Sequence, residues 1–117
     1  MLSISGRLKE FVAVEACAMR RGFNGLSALV SERLGEDWKS GALLVFSNRR
    51  HTRIKLLCFD GTGIWLLTKR LEVGTFAWPQ NLSPETTKLK LTPQALALLT
   101  DGVDLRGARL RPWYERE

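Results

Sequence analysis

Cysteine and histidine are scarce in this sequence of 117 residues, which contains two cysteines and one histidine. Cys17 and Cys58 lie 41 positions apart and His51 is the single histidine, so no zinc-ligand spacing and no disulfide framework can be assembled. Each cysteine is flanked by apolar residues, where a free thiol behaves as a small hydrophobe. We therefore expect two buried thiols in a reducing, cytoplasmic protein.

Long hydrophobic runs are also missing. Charged side chains interrupt the N-terminal segment from Arg7 to Glu15, so it has neither a signal-peptide core nor the roughly 20 apolar residues of a membrane span. No repeat or linker divides the chain. We expect one domain over residues 1–104, followed by a flexible basic and aromatic tail over 105–117, and no association with a membrane.

Catalytic motifs are a third absence, because the sequence contains no nucleophile elbow, zinc-protease helix motif or phosphate-binding loop. No cofactor is expected. A divalent metal could in principle bind carboxylates, as a nuclease would require; the candidates are Asp60, Glu72, Asp101 and Asp104. Turn formation and helix ends explain these acids more simply, and His51 is expected to be a solvated loop residue rather than a general base. The sequence predicts a protein that is not an enzyme.

Periodicity predicts the α+β class. Residues 10–14 favour a strand, and Asn24 is placed to cap a helix over about 25–34. The apolar run 42–46 and the alternating runs 53–59 and 64–67 predict strands, the last two forming a hairpin that turns at 60–63. A short edge strand at 88–91 precedes a helix over about 93–100, which Thr92 and Pro93 begin. The expected architecture is a small single domain in which two short helices pack on an antiparallel sheet with a central hairpin at about 53–69.

Positive charge is what the chain has in excess, with 18 lysines and arginines against 12 acids and a net charge of +6. Such a balance favours polyanions without indicating sequence specificity. A hairpin that turns at 60–63 brings six cations to its open end: Arg49, Arg50, Arg53, Lys55, Lys69 and Arg70. Arg20 and Arg21 could extend this phosphate-binding surface, and Trp65 and Trp78 could stack on bases or contact a partner, although aromatic residues in short strands are more often part of the core.

The basic segment lies within a longer resemblance. The segments Met19–Leu26, Phe46–Leu66, Lys69–Pro79 and Leu98–Asp104 resemble, in order, the TnpB accessory protein family of the insertion-sequence-66 transposable elements, the product of their second open reading frame. That family usually has an acid where Ala18 stands and an aromatic–Trp pair where Cys58–Phe59 stand. The resemblance implies a bacterial accessory protein that assists a separate, larger transposase.

Two hypotheses for the molecular role stay open. The first is a non-catalytic accessory protein that associates with DNA at the element ends, or with the transpososome, through the basic hairpin. The second is an adaptor that binds the transposase or another element-encoded accessory protein through exposed aromatic residues, without direct DNA recognition.

Overall fold

A mixed β-sheet with one helix on each face forms the core of the protein. The computed structural model describes residues 9–37, 41–79, 82–102 and 114–115. In chain order the elements are β1 (Lys9–Ala13), α1 (Phe23–Glu32), β2 (Ala42–Ser47), β3 (Arg53–Phe59), β4 (Ile64–Arg70), β5 (Lys88–Leu91), α2 (Pro93–Asp101) and β6 (Tyr114–Glu115). The predicted α+β class, the hairpin and the two helices are confirmed.

The sheet has the strand order β4-β3-β2-β1-β5-β6. β1 pairs with β2 in parallel, and every other pair is antiparallel. The prediction of a wholly antiparallel sheet was therefore wrong at this one pair. The physical reason is the crossover: the chain leaves β1, passes through α1 and returns to the same end of the sheet, which requires the next strand to run parallel.

Alternate side chains of the strands point to opposite faces of the sheet and pack in two separate cores. On one face Leu26 and Val30 of α1 pack with Phe11, Leu44 and Leu57. On the other face the buried residues of α2 pack against a second set, which comprises Val12, Leu43, Val45, Ile54, Leu56, Cys58, Phe76, Trp78, Leu89 and Leu91. β2 is buried along its whole length, as expected for a strand covered by a helix on each side.

The ends of the helices follow from local chemistry. The Thr92 hydroxyl accepts a hydrogen bond from the Ala95 amide at 3.1 Å, and Gly102 ends α2 in the left-handed conformation with φ 83°; both features agree with the prediction. Asn24 was predicted to cap α1, which was wrong, because the helix begins two residues earlier than predicted, at Phe23, and Gly22 occupies the cap position without a side-chain bond.

The β3–β4 hairpin lies at one edge of the sheet rather than in its centre, because β4 is the terminal strand of the order. Its turn is built around Asp60, whose Oδ1 accepts hydrogen bonds from the amides of Thr62 and Gly63 and from the Thr62 hydroxyl at 2.9–3.0 Å. Its Oδ2 accepts a bond from the Trp65 indole at 2.7 Å. The Asp60 carboxylate thus closes the turn and also holds the indole of Trp65 on β4.

Two further predictions concern the ends of the chain. The strand at 88–91 was predicted to be an edge strand, but β5 pairs with β1 on one side and β6 on the other. The predicted domain boundary at residue 104 and most of the predicted tail lie outside the described residues, apart from Tyr114–Glu115. No helix in the described ranges is long and apolar enough to cross a membrane.

Glu10 is an anomaly in β1, since its side chain is only 2% exposed and neither carboxylate oxygen has a hydrogen-bond partner among the described residues. Burial raises the pKa of Glu10 above its ordinary value. Such a group stabilises the fold least when ionised, so its cost is absent at pH values below the ordinary pKa and grows as the pH rises through the raised one.

Replacement of this residue by leucine, Glu10→Leu, is expected to increase the free energy of unfolding at pH 7 by about 1 to 3 kcal/mol, because an unpaired buried carboxylate is lost. The increase should be smaller at about pH 4, where the native side chain is largely neutral. Urea unfolding at both pH values measures the difference, and Glu32→Leu on an exposed position serves as the control. An equal effect of Glu10→Leu at both pH values would contradict this assignment.

The hairpin turn gives a prediction of opposite sign. Hydrogen bonds to Thr62, Trp65 and Gly63 hold the pKa of Asp60 well below its ordinary range. The bonds therefore stabilise the fold above the ordinary pKa of the group, and their contribution is lost as the pH falls through the lowered one.

Asp60→Ala is expected to lower the melting temperature at neutral pH, with the difference from the native protein shrinking in strongly acidic solution. Asp60→Asn retains an acceptor oxygen but no charge, so its melting temperature should lie between those of Asp60→Ala and the native protein. Thermal melts followed by circular dichroism measure the order, with Asp101→Ala as the control. Identical melting of Asp60→Ala and the native protein would show that the turn does not depend on this carboxylate.

Candidate nucleic-acid interface

An open groove of about 690 Å³ lies on the face of the sheet that α1 covers. Its walls are the 13–21 segment that follows β1, the end of α1, the β2–β3 loop and the 84–87 segment. The floor includes the apolar side chains of Leu29, Leu34 and Phe46. Backbone hydrogen bonds hold these walls in place: the Cys17 amide donates to the Ser47 carbonyl at 2.9 Å, and the Val14 amide donates to the Thr87 carbonyl at 3.0 Å.

Arginine dominates the charge of this groove. Among the described residues, five arginines and a single acid, Glu15, line the groove; the arginines are Arg21, Arg33, Arg49, Arg50 and Arg53. All five are exposed. Arg33 donates a hydrogen bond to the Glu15 carboxylate at 2.9 Å, which leaves the other four without a carboxylate partner among the groove residues. We call these five residues the arginine groove.

Four members of the arginine groove were predicted from the sequence, and Arg33 was missed. The predicted members come from two loops and one strand, which the fold brings together. Arg33 lies four residues after Leu29 on a helical spacing, so both side chains point to the same side of the helix. This four-residue spacing could have indicated that Arg33 lines the groove, but only once Leu29 is known to lie on the groove floor.

The β2–β3 loop presents Arg49 and Arg50 on a backbone that Asn48 holds. The Asn48 Oδ1 accepts hydrogen bonds from the amides of Thr52 at 2.9 Å and Arg53 at 3.1 Å, and its Nδ2 donates to the Thr52 hydroxyl at 2.9 Å. The side chain of Asn48 therefore replaces the backbone partners that a longer strand would supply. Arg49 and Arg50 therefore project from a loop whose backbone is held by side-chain hydrogen bonds.

His51 supports the same loop from inside. It adopts a left-handed backbone with φ 58°, its carbonyl accepts a bond from the Phe76 amide at 2.7 Å, and its Nδ1 lies 3.0 Å from the buried Ser47 hydroxyl. The prediction of a solvated loop residue was therefore wrong, because the ring is half-buried. Burial lowers the pKa of His51.

Trp78 was considered a surface for base stacking or partner contact, and the structure contradicts this. The residue is 4% exposed, and its indole stacks on the His51 ring with 5.3 Å between centroids. The alternative of a core residue is what the structure shows. The large ring packs in the core on the α2 face of the sheet. Its indole nitrogen has no hydrogen-bond partner in the described part of the chain.

The remaining predicted cations lie outside the arginine groove. Lys55 donates a hydrogen bond to the Arg21 carbonyl at 2.7 Å, so it anchors the groove wall rather than lining it. Lys69 pairs in register with Ile54 and therefore points to the opposite face, where it donates to the Thr100 carbonyl of α2 at 2.8 Å. Arg20 and Arg70 are exposed but do not line the groove. The open end of the hairpin is thus divided between the two faces.

Both cysteines are free. Cys58 is buried as predicted, but Cys17 is only half-buried and lines the arginine groove. Burial raises the pKa of the Cys17 thiol, and the charges of Arg21 and Lys55 oppose that shift. Within the described ranges no three histidine, cysteine or acidic side chains lie close enough together to hold a metal ion.

This chain is similar to known proteins over most of its length. No solved structure shows significant similarity to it. Two uncharacterized proteins of Sinorhizobium fredii (strain NBRC 101917 / NGR234) are similar: y4jC is 35% identical over 96% of this chain and 93% of its own length, and y4hO is 35% identical over 91% and 90%. The sequence model of the IS66 Orf2-like proteins matches residues 8–110. The chain therefore belongs to the IS66 Orf2-like family of transposition-associated accessory proteins.

Proposed function

We propose that this protein is a non-catalytic accessory factor that binds DNA through the arginine groove during transposition of its element. The observation that carries the proposal is the convergence of five arginines, with one acid among them, on a single open groove. Guanidinium groups are planar forks that match two phosphate oxygens. Like charges held this close favour a polyanionic ligand, which offsets their repulsion.

Loop closure supports the same proposal. The Asn48 bonds and the His51–Trp78 stack fix the backbone that carries Arg49 and Arg50. A cationic surface that is already ordered loses little conformational entropy when it binds. The groove offers contacts to phosphate from arginine and an apolar floor, and it presents few neutral hydrogen-bonding side chains for reading base edges. Phosphate contact is therefore the main expected source of affinity.

The experiment compares two variants that remove the same charge from different places. Arg49→Gln, Arg50→Gln and Arg53→Gln together alter the arginine groove, and Lys9→Gln, Arg20→Gln and Lys90→Gln together alter cations outside it. Fluorescence anisotropy with a labelled fragment of the element end, over a range of salt, gives affinity and its salt dependence. Circular dichroism melts establish that both variants fold.

The groove variant is expected to lose affinity and to flatten the salt slope by about 0.9 for each phosphate contact removed, whereas the control variant should retain most of both. Equal losses in the two variants would show that total charge, and not the groove, binds DNA. Salt-independent behaviour of the native protein, together with nuclease-resistant co-purification with its transposase, would instead support the adaptor hypothesis.

A further inference from the structure

Three of the four large apolar side chains that are exposed in the described part of the chain lie on β4. β4 is the terminal strand of the sheet, so its outer backbone groups have no strand partner among the described residues. Its side chains Ile64, Trp65 and Leu67 are 38%, 41% and 38% exposed. Unpaired N–H and C=O groups beside exposed apolar side chains form a template for another strand.

The usual protection of such an edge is absent from the first five residues of β4. Edge strands are commonly blunted by proline, by a bulge or by a charged side chain in the middle of the strand. The five residues from Ile64 to Thr68 contain none of the charged types and no proline, and β4 pairs with β3 in an unbroken register over all seven of its residues. The two charges, Lys69 and Arg70, are confined to one end.

We infer that β4 pairs antiparallel with β4 of a second copy of this chain, with a two-fold axis near Leu67. In that register Lys69 lies opposite Trp65 of the second copy, and Arg70 lies opposite Ile64. The basic end of each strand thus meets the end of the other strand that carries the aromatic ring and the Asp60 carboxylate bonded to it. A parallel arrangement would place the Lys69–Arg70 pairs side by side and repel.

The position of the two helices follows from this register. Residues opposite each other in an antiparallel pair point to the same face of the sheet, so the α1 faces of both copies lie on one side. Both arginine grooves then face the same direction. With both grooves on one side, the dimer would contact DNA at two places, and this consequence rests on the proposed function. The dimer itself does not rest on the proposed function.

The test measures the mass of the full-length protein by sedimentation equilibrium over a range of concentrations. The native chain is expected to be a dimer. Leu67→Lys and Leu67→Glu each place two like charges at the two-fold axis and should each be monomeric, while an equimolar mixture of the two should recover a dimer of one copy of each. Val73→Lys, at a position 88% exposed and outside the strand, adds the same charge and should remain dimeric.

A native protein that is monomeric up to several hundred micromolar would overturn the inference, even if it bound its transposase through the same edge. Persistence of the dimer in both Leu67 variants would also overturn it. If those variants fail to fold, hydrogen exchange of the native protein decides: the amides of β4 should lose protection on dilution, and unchanged protection would refute the pairing. The groove variant with three glutamines should dimerise normally, which separates this test from that of DNA binding.

Discussion

The parallel pairing of β1 with β2 determines where the arginines meet. Because the two strands run in the same direction, the chain must cross one face of the sheet between them, and it does so through the 14–22 segment and α1. The bond from the Cys17 amide to the Ser47 carbonyl fixes that crossing beside the β2–β3 loop. Arg21 and Arg33 on the crossing thereby come to the same groove as Arg49, Arg50 and Arg53.

In the loop at the end of β2, some side chains point toward the interior of the protein and others point to solvent. Residues that point inward make specific contacts: Asn48 bonds to the backbone, and His51 stacks on Trp78. Residues that point outward are cations without such contacts. The internal network holds the backbone that carries these neighbouring positive charges despite their repulsion.

Local chemistry allowed much of this fold to be predicted. The hairpin followed from alternation around Asp60–Gly63, and α2 from its threonine cap, its first proline and its glycine stop. The prediction that Asn24 caps α1 was wrong because asparagine can also lie within the first turn of a helix, and here Gly22 takes the cap position. The parallel pair could not be predicted, since it depends on contacts between segments distant in sequence, whereas the core alternative for Trp78 followed from the general burial of aromatic residues in short strands. The position of Arg33 in the candidate site also depends on contacts between distant segments.

The long-range pairing of β1 also affects how the chain folds as it is made. Phe11 pairs with Lys90, and the β2–β3–β4 meander lies between them in sequence. At bacterial rates of translation, the strand that completes this pairing leaves the ribosome roughly a few seconds after β2 does. During that interval one side of β1 is an open edge in the nascent protein. Synthesis of β5 is therefore the step that covers this side of β1, and β6 then pairs with the outer side of β5.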